Sequence, residues 1–291
     1  MISGDQPERY DTPNLAEDLP HSLRVNAILR LTTRGEGNST RVIARHEAGA
    51  LRMRMPRRSG SACEATIVNV AGGLAGGDRV NIAIDAQSGS ELLVSSAAAE
   101  RIYRSANDTT QISISLRADA GAKLVWIPNE SILHRGARLK RHIDATFNAK
   151  GRFLFADILQ LGRSATGEIF DSGDLHESWR FRDEGGLVFA EEMRLGESAL
   201  AHRLSIGGLA GHSSLATVLL GGLDAEEHVE TLRSALYDEP TVRSGVSAHS
   251  GLVFARMMSK SDLALRRVCV RAIRAVSAGL PLPRLMLGDE P

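Results

Sequence analysis

Asn69–Ser105 reads NVAGGLAGGDRVNIAIDAQSGSELLVSSAAAERIYRS, and it joins glycine-rich turns to short extended runs. In Arg79–Ala86, Val80, Ile82 and Ile84 fall on one face and Asn81, Ala83 and Asp85 on the other, the alternation of a half-buried strand. Glu91–Ser96 is a short apolar run bounded by turn residues and reads as a buried strand. The diglycines Gly72-Gly73 and Gly76-Gly77 raise the question of a nucleotide loop. Gly77 stands at the right distance from Gly72, but Asp78 and Arg79 follow where a P-loop needs Lys and then Ser or Thr. A carboxylate there repels phosphate. The pattern GxGxxG fails as well, because Leu74 and Ala75 occupy positions that must be Gly. These glycines read as turns that permit positive φ and close strand stacking.

Further along, Gln111–Ala118 repeats the alternation, with Ile112, Ile114 and Leu116 against Gln111, Ser113, Ser115 and Arg117. Lys123–Ile127 is another short buried run. Leu139–Asn148 alternates more loosely, with Leu139, Ile143 and Phe147 on one side. Ser178–Phe181, the Asp183–Gly186 turn and Leu187–Leu195 read as a hairpin whose inner residues include Trp179, Phe181, Leu187 and Phe189. Many strands between Gly, Asp, Asn and Ser turns predict a mainly β core, and no regular strand–helix alternation supports a Rossmann sheet. No fixed-length repeat is visible, so periodicity leaves sandwich, barrel and stacked sheets open. About two helices are predicted near the C-terminus. Over 224–239, Asp224 is placed as N-cap, Glu227 follows three residues on, and Val229, Leu232 and Leu236 form a stripe. Over 261–277, Leu265, Val268, Cys269, Ala272, Ile273 and Val276 share a face, with Gly279 and Pro281 as stop signals. Arg267, Arg271 and Arg274 lie opposite, as a solvated face or a docking surface for an acidic partner.

The 291 residues hold 35 Lys+Arg and 35 Asp+Glu, so net charge is zero and nucleic acid is not expected as a partner. Two cysteines, Cys63 and Cys269, are far apart and make no zinc or disulfide framework; Cys269 is expected as a buried small hydrophobe. Residues 1–22 are polar and proline-punctuated, a flexible leader rather than a signal peptide. No apolar run approaches the roughly 18 residues of a membrane span, and the expectation is a cytoplasmic protein with one β-rich domain over 23–291.

Three ordered blocks carry a resemblance. The first is Asn69, Ala71, Gly72, Gly73, Gly76, Gly77, Asp78 and Arg79, followed by Ala97–Ala99, Arg101, Tyr103, Arg104 and Ser105. The second is Trp126-Ile127-Pro128-Asn129-Glu130 with Gly136-Ala137-Arg138, and the third is Gly162-Arg163-Ser164-Ala165 with Gly167-Glu168. Together, from about Leu23 to Arg284, they resemble the urease accessory protein family called UreD (UreH in some species). The resemblance implies an elongated, β-helix-like stack of sheets with helices added late. It implies a non-catalytic urease maturation factor that binds a UreF-type partner. That partner recruits a UreG-type GTPase, the assembly docks on urease apoprotein, and nickel is inserted in a GTP-dependent step. Departures from the family pattern are Asn129 where Gln is usual, His134-Arg135 before Gly136, and a C-terminus at Pro283–Met286 lacking the Trp usual after that Arg.

Nickel delivery directs attention to ligands. The nine His (His21, His46, His134, His142, His176, His202, His212, His228 and His249) form no HxH or i,i+4 helical pair, so no tight imidazole site is expected and no tightly bound cofactor. A transient path wants weak, exchangeable oxygen ligands, and the motif blocks supply Asp78, Glu100, Glu130 and Glu168. Each has a plain structural alternative. Asp78 caps turn amides or pairs with Arg79 or Arg104; Glu130 and Glu168 pair with Arg138 or Arg163; Glu100 faces water. His134 is a surface residue or an added nickel ligand. Tyr103 and Arg104 are candidate interface anchors, and Trp126 and Trp179 are expected in the core. No GxSxG elbow is present, and Ser95 and Ser96 read as ladder residues. The competing readings are an all-β, hydrolase-like enzyme with a site assembled from distant residues, and a metal-storage protein; co-purification with the UreF-type protein separates the scaffold from the enzyme.

Overall fold

The computed structural model describes residues 24–56, 60–206 and 208–283; the expected leader and the C-terminal block from Arg284 lie outside the described residues. The chain opens with β1 (Asn26–Glu36), β2 (Ser39–Ala48), β3 (Leu51–Arg54) and β4 (Cys63–Asn69). It then winds through β5 (Arg79–Ala86), β6 (Glu91–Ser96), β7 (Glu100–Ile102), β8 (Thr110–Ala118), β9 (Lys123–Ile127), β10 (Ser131–Leu133), β11 (Arg138–Phe147) and β12 (Arg152–Arg163). Each turn of the winding lays one strand in each of two sheets. In the first sheet β1, β5, β8, β11 and β14 (Asp174–Asp183) run parallel, and in the second β4, β6, β9 and β12 do so. Short β7 and β10 pair in parallel at the corner. This is the expected β-helix-like stack. In the first sheet Val80 stands opposite Ile112, Ile112 opposite Arg141, and Arg141 opposite Glu177. Successive turns differ in length, which is why no sequence repeat betrays them.

The alternation in each strand says which face meets the interior. β8 is buried and exposed in strict turn, so the first sheet has one wet face. β12 is buried on both faces. Its Phe153, Phe155 and Leu159 join the core between the sheets, while Leu154, Ala156 and Ile158 join a second core beneath the helices. The far half of the interior is aromatic: Phe155 meets Trp179 edge-on with centroids 5.2 Å apart, and Trp179 stacks on Phe181 at 6.2 Å. Trp126 is buried, as expected.

The remainder caps the stack. β13 (Glu168–Ile169) turns back on β12, and β15 (Gly186–Leu195) closes the hairpin with β14. The backbone register slips between Phe181 and Arg182, so Leu187 pairs with Arg182 and is 56% exposed instead of inward, whereas Phe189 stays buried opposite Phe181. After α1 (Glu197–Ala201), β16 (Ser214–Gly222), β17 (Val242–His249) and β18 (Leu252–Ser259) extend the second sheet with antiparallel pairings in the spatial order β12-β16-β18-β17, so that the last strand inserts between the two before it. Two helices cover it. α2 spans only Val229–Leu236, behind one short 3-10 turn. Asp224 has φ 56° and its side chain caps nothing, because an N-cap needs extended backbone. α3 (Asp262–Val276) starts where Ser261 Oγ accepts the Ala264 N–H at 3.3 Å, and its apolar stripe is buried as expected, Cys269 included. Arg267 and Arg274 are exposed. Arg271 departs from that face: it is half-buried and its Nε donates to the Ala235 carbonyl at 3.2 Å, tying α3 to α2.

Candidate functional site

The glycine turns of the first block fold around two anchors. Leu74 is buried and its N–H and C=O exchange bonds with Arg101 and Tyr103. Asp78 is buried too, and its two carboxylate oxygens accept the N–H groups of Val25 at 2.8 Å and Ala75 at 2.7 Å. It therefore binds turn amides rather than Arg79 or Arg104. Gly76 admits no side chain, since a Cβ there would lie 2.4 Å from the Asp108 carbonyl oxygen. The Tyr103 ring packs against Gly73, where a Cβ would lie 2.4 Å from its Cε2, and its hydroxyl donates to the Gly72 carbonyl at 3.1 Å.

Beside this turn the interior opens. A cavity of about 260 Å³ runs between the two sheets. Asn69, Ala97–Ala99, Glu100 and Asn129 line it at the turns, Val80, Ile112 and Trp126 in the core, and Arg141 and Asp157 at the core's charged end. Glu100 is half-buried rather than free in water: its two carboxylate oxygens share the Asn69 Nδ2 group, at 2.9 and 3.1 Å. Burial pushes its carboxyl up to about 7 against the pull of Asn69. Asn129 is fastened to Ser96 by its own amide and backbone N–H. Glu130 pairs with Arg266 of α3 at 2.8 Å instead of with Arg138. Arg266, which sequence reasoning passed over, thus links the second motif block to the helix layer.

The third block meets the second at a corner of the stack. Glu168 pairs with Arg163 as expected and accepts the Arg135 N–H at 3.1 Å. His134 sets its ring edge-on to Tyr103, centroids 4.9 Å apart. Its Nε2 is sealed from solvent with no hydrogen-bond partner among the described residues. Burial, with Arg163 nearby, holds its pKa below the usual histidine value. The four proposed carboxylates are therefore not gathered. Among the described residues no group of three or more His, Cys, Asp and Glu is placed to hold a metal ion.

Sequence reasoning also missed a cluster at the far end of the cavity. Arg141 continues the buried row Val80–Ile112 and is 4% exposed; Asp157 is 5% and Glu177 1% exposed. Arg141 Nε donates to Glu177 Oε1 at 2.8 Å, Nη2 to Asp157 Oδ2 at 2.7 Å, and Nη1 to Ser131 Oγ at 3.1 Å. Beyond it lies a second cavity of about 440 Å³, whose lining includes Arg141, Asp157, Glu177, Trp179, Met193 and Met257. The available signal was the looser alternation of Leu139–Asn148, where an Arg occupies an inward register position.

The profile of the family described as "UreD urease accessory protein" matches residues 25–286. The chain is 40% identical over 263 residues to the Urease accessory protein UreD of Chelativorans sp. (strain BNC1), covering 90% of this chain and 91% of that one. It is 39% identical over 277 residues to that of Xanthobacter autotrophicus, covering 94% of each. The chain belongs to the UreD family of urease accessory proteins. In this UreD-family chain the three motif blocks are turns and strand ends of successive coils, brought to one flank of the interior. What they offer chemically is an opening lined by small residues and amide oxygens, with one carboxylate, Glu100, whose charge changes near neutrality. Amide and carboxylate oxygens suit weak, exchangeable binding of a divalent cation better than a closed imidazole or thiolate cage.

Proposed function

We propose that this chain is a non-catalytic scaffold for urease maturation, working in the cytoplasm. It binds a UreF-type partner, through it a UreG-type GTPase, and docks on urease apoprotein; nickel passes through its interior during the GTP-dependent step. Family membership supports the role in maturation. The observation that carries the passage is the pair of cavities between the sheets, lined in common by Arg141 and Asp157. Nickel here is cargo, not a resident cofactor. Glu100 is the ligand we assign at the mouth. Asp78, Glu130 and Glu168, each held by its own partners, shape the turns around it. Exposed Arg267 and Arg274 with Arg271 between them, and the Tyr103-Arg104 corner, are the surfaces offered to partners.

Co-expression with the UreF-type protein, followed by affinity pull-down and size-exclusion chromatography, tests the scaffold. A stable stoichiometric complex that restores urease activity to cells lacking their own UreD-family protein is the expected result. A chain that ignores the partner overturns the proposal and returns attention to an unrecognised enzymatic site.

A further inference from the structure

We infer that Arg141 is the shutter of the interior: its guanidinium separates the two cavities while it bridges Asp157 and Glu177, and an ion crosses only when it lets go. This rests on the passage reading above. The linings of the two cavities share Arg141 and Asp157, so any continuous route runs past this pair. The contact crosses the lumen: Ser131 comes from β10, Arg141 from β11, Asp157 from β12 and Glu177 from β14. Trp179 Nε1 donates to Glu177 Oε2 at 2.9 Å and fixes the carboxylate that Arg141 holds.

Charge decides what the junction admits. One guanidinium faces two carboxylates, which leaves the buried cluster one negative charge in excess when both are ionised. A divalent cation standing between the same carboxylates balances both; a monovalent one leaves the excess, and an anion is repelled. Arg141 is therefore a stand-in for the cargo. A guanidinium does not lose its proton in a protein, so it opens by moving, not by titrating. It has room to move, with about 260 Å³ of cavity on one side and about 440 Å³ on the other. A packed core gives a side chain no such freedom.

The test uses the full chain assembled with its partner proteins and urease apoprotein, with nickel supplied at a limiting level. Arg141→Lys keeps the charge but cannot grip three partners as a planar fork. If Arg141 is the shutter, weakening one charge-assisted hydrogen bond speeds urease activation by roughly tenfold. Ser131→Ala loosens the same guanidinium without touching any charge and gives a smaller acceleration, which serves if the lysine variant does not fold. Ala99→Trp, which fills the mouth, is the control for the passage itself. Activation stopped by Ala99→Trp and accelerated by Arg141→Lys supports the shutter. Activation stopped by Ala99→Trp but unchanged or slowed in the Arg141 and Ser131 variants overturns it and leaves the passage standing. Activation indifferent to Ala99→Trp removes the passage and the shutter together. A merely structural Arg141 lowers the melting temperature and the yield of complex without accelerating anything.

Discussion

Glu100 is a carboxylate whose charge the fold opposes. Its ordinary value is 4.5 and burial raises it to about 7, so the folded state holds its proton more tightly than the unfolded chain does. The contribution to stability is complete below pH 4.5 and is lost as pH rises through about 7; above that the buried charge costs roughly 3 kcal/mol. Glu100→Gln should therefore raise the melting temperature strongly at about pH 8 and hardly at all at about pH 5, read by circular dichroism. An equal shift at both would show that the carboxyl titrates normally. The same sign carries over to the proposed passage. Only the ionised form attracts nickel, so activation at limiting nickel should slow as pH falls below about 7. At this scale the sequence was partly legible. Asp78 after a diglycine and Glu168 near Arg163 were readable from local chemistry, and the structure gives Asp78 its turn amides and Glu168 its Arg163. Glu100 and Arg141 were not, because their surroundings come from distant strands: Asn69 and Asn129 around one, Asp157 and Glu177 around the other.

At the scale of elements, the glycine-rich turn between β4 and β5 works by closeness. A Cβ at Gly76 would lie 1.9 Å from Ser105 Oγ and 2.4 Å from the Asp108 carbonyl oxygen. Gly76→Ala must push two strand ends apart, and overpacking of this kind costs about 1–3 kcal/mol. Gly245→Ala in β17 meets open space and should change stability by less than about 0.5 kcal/mol. Urea unfolding of both variants checks this; equal midpoints would mean that the turn is not close-packed. Strand period made β5 and β8 legible, and an apolar stripe ending before Gly279 and Pro281 made α3 so. Leu187 escaped because a register slip of one residue in β14–β15 reverses inside and outside. The longer helix expected over 224–239 failed at its start, where Asp224 takes a left-handed backbone that composition does not announce.

At the scale of the molecule, the winding places turns far apart in sequence on one flank and leaves space between two sheets. Alternation alone could not select this architecture, since the coils differ in length; the ordered glycine blocks did so through their likeness to the UreD family, whose profile covers residues 25–286. The interior was invisible to any local reading, because a cavity is a property of strands that meet. The central claim is that nickel travels through it, and transfer of radioactive nickel into urease apoprotein by the assembled complex measures this directly. With Ala99→Trp at the mouth, and with folding and partner binding unchanged, transfer should fall to the level seen without this chain. Transfer at the normal rate through a filled mouth would contradict the account.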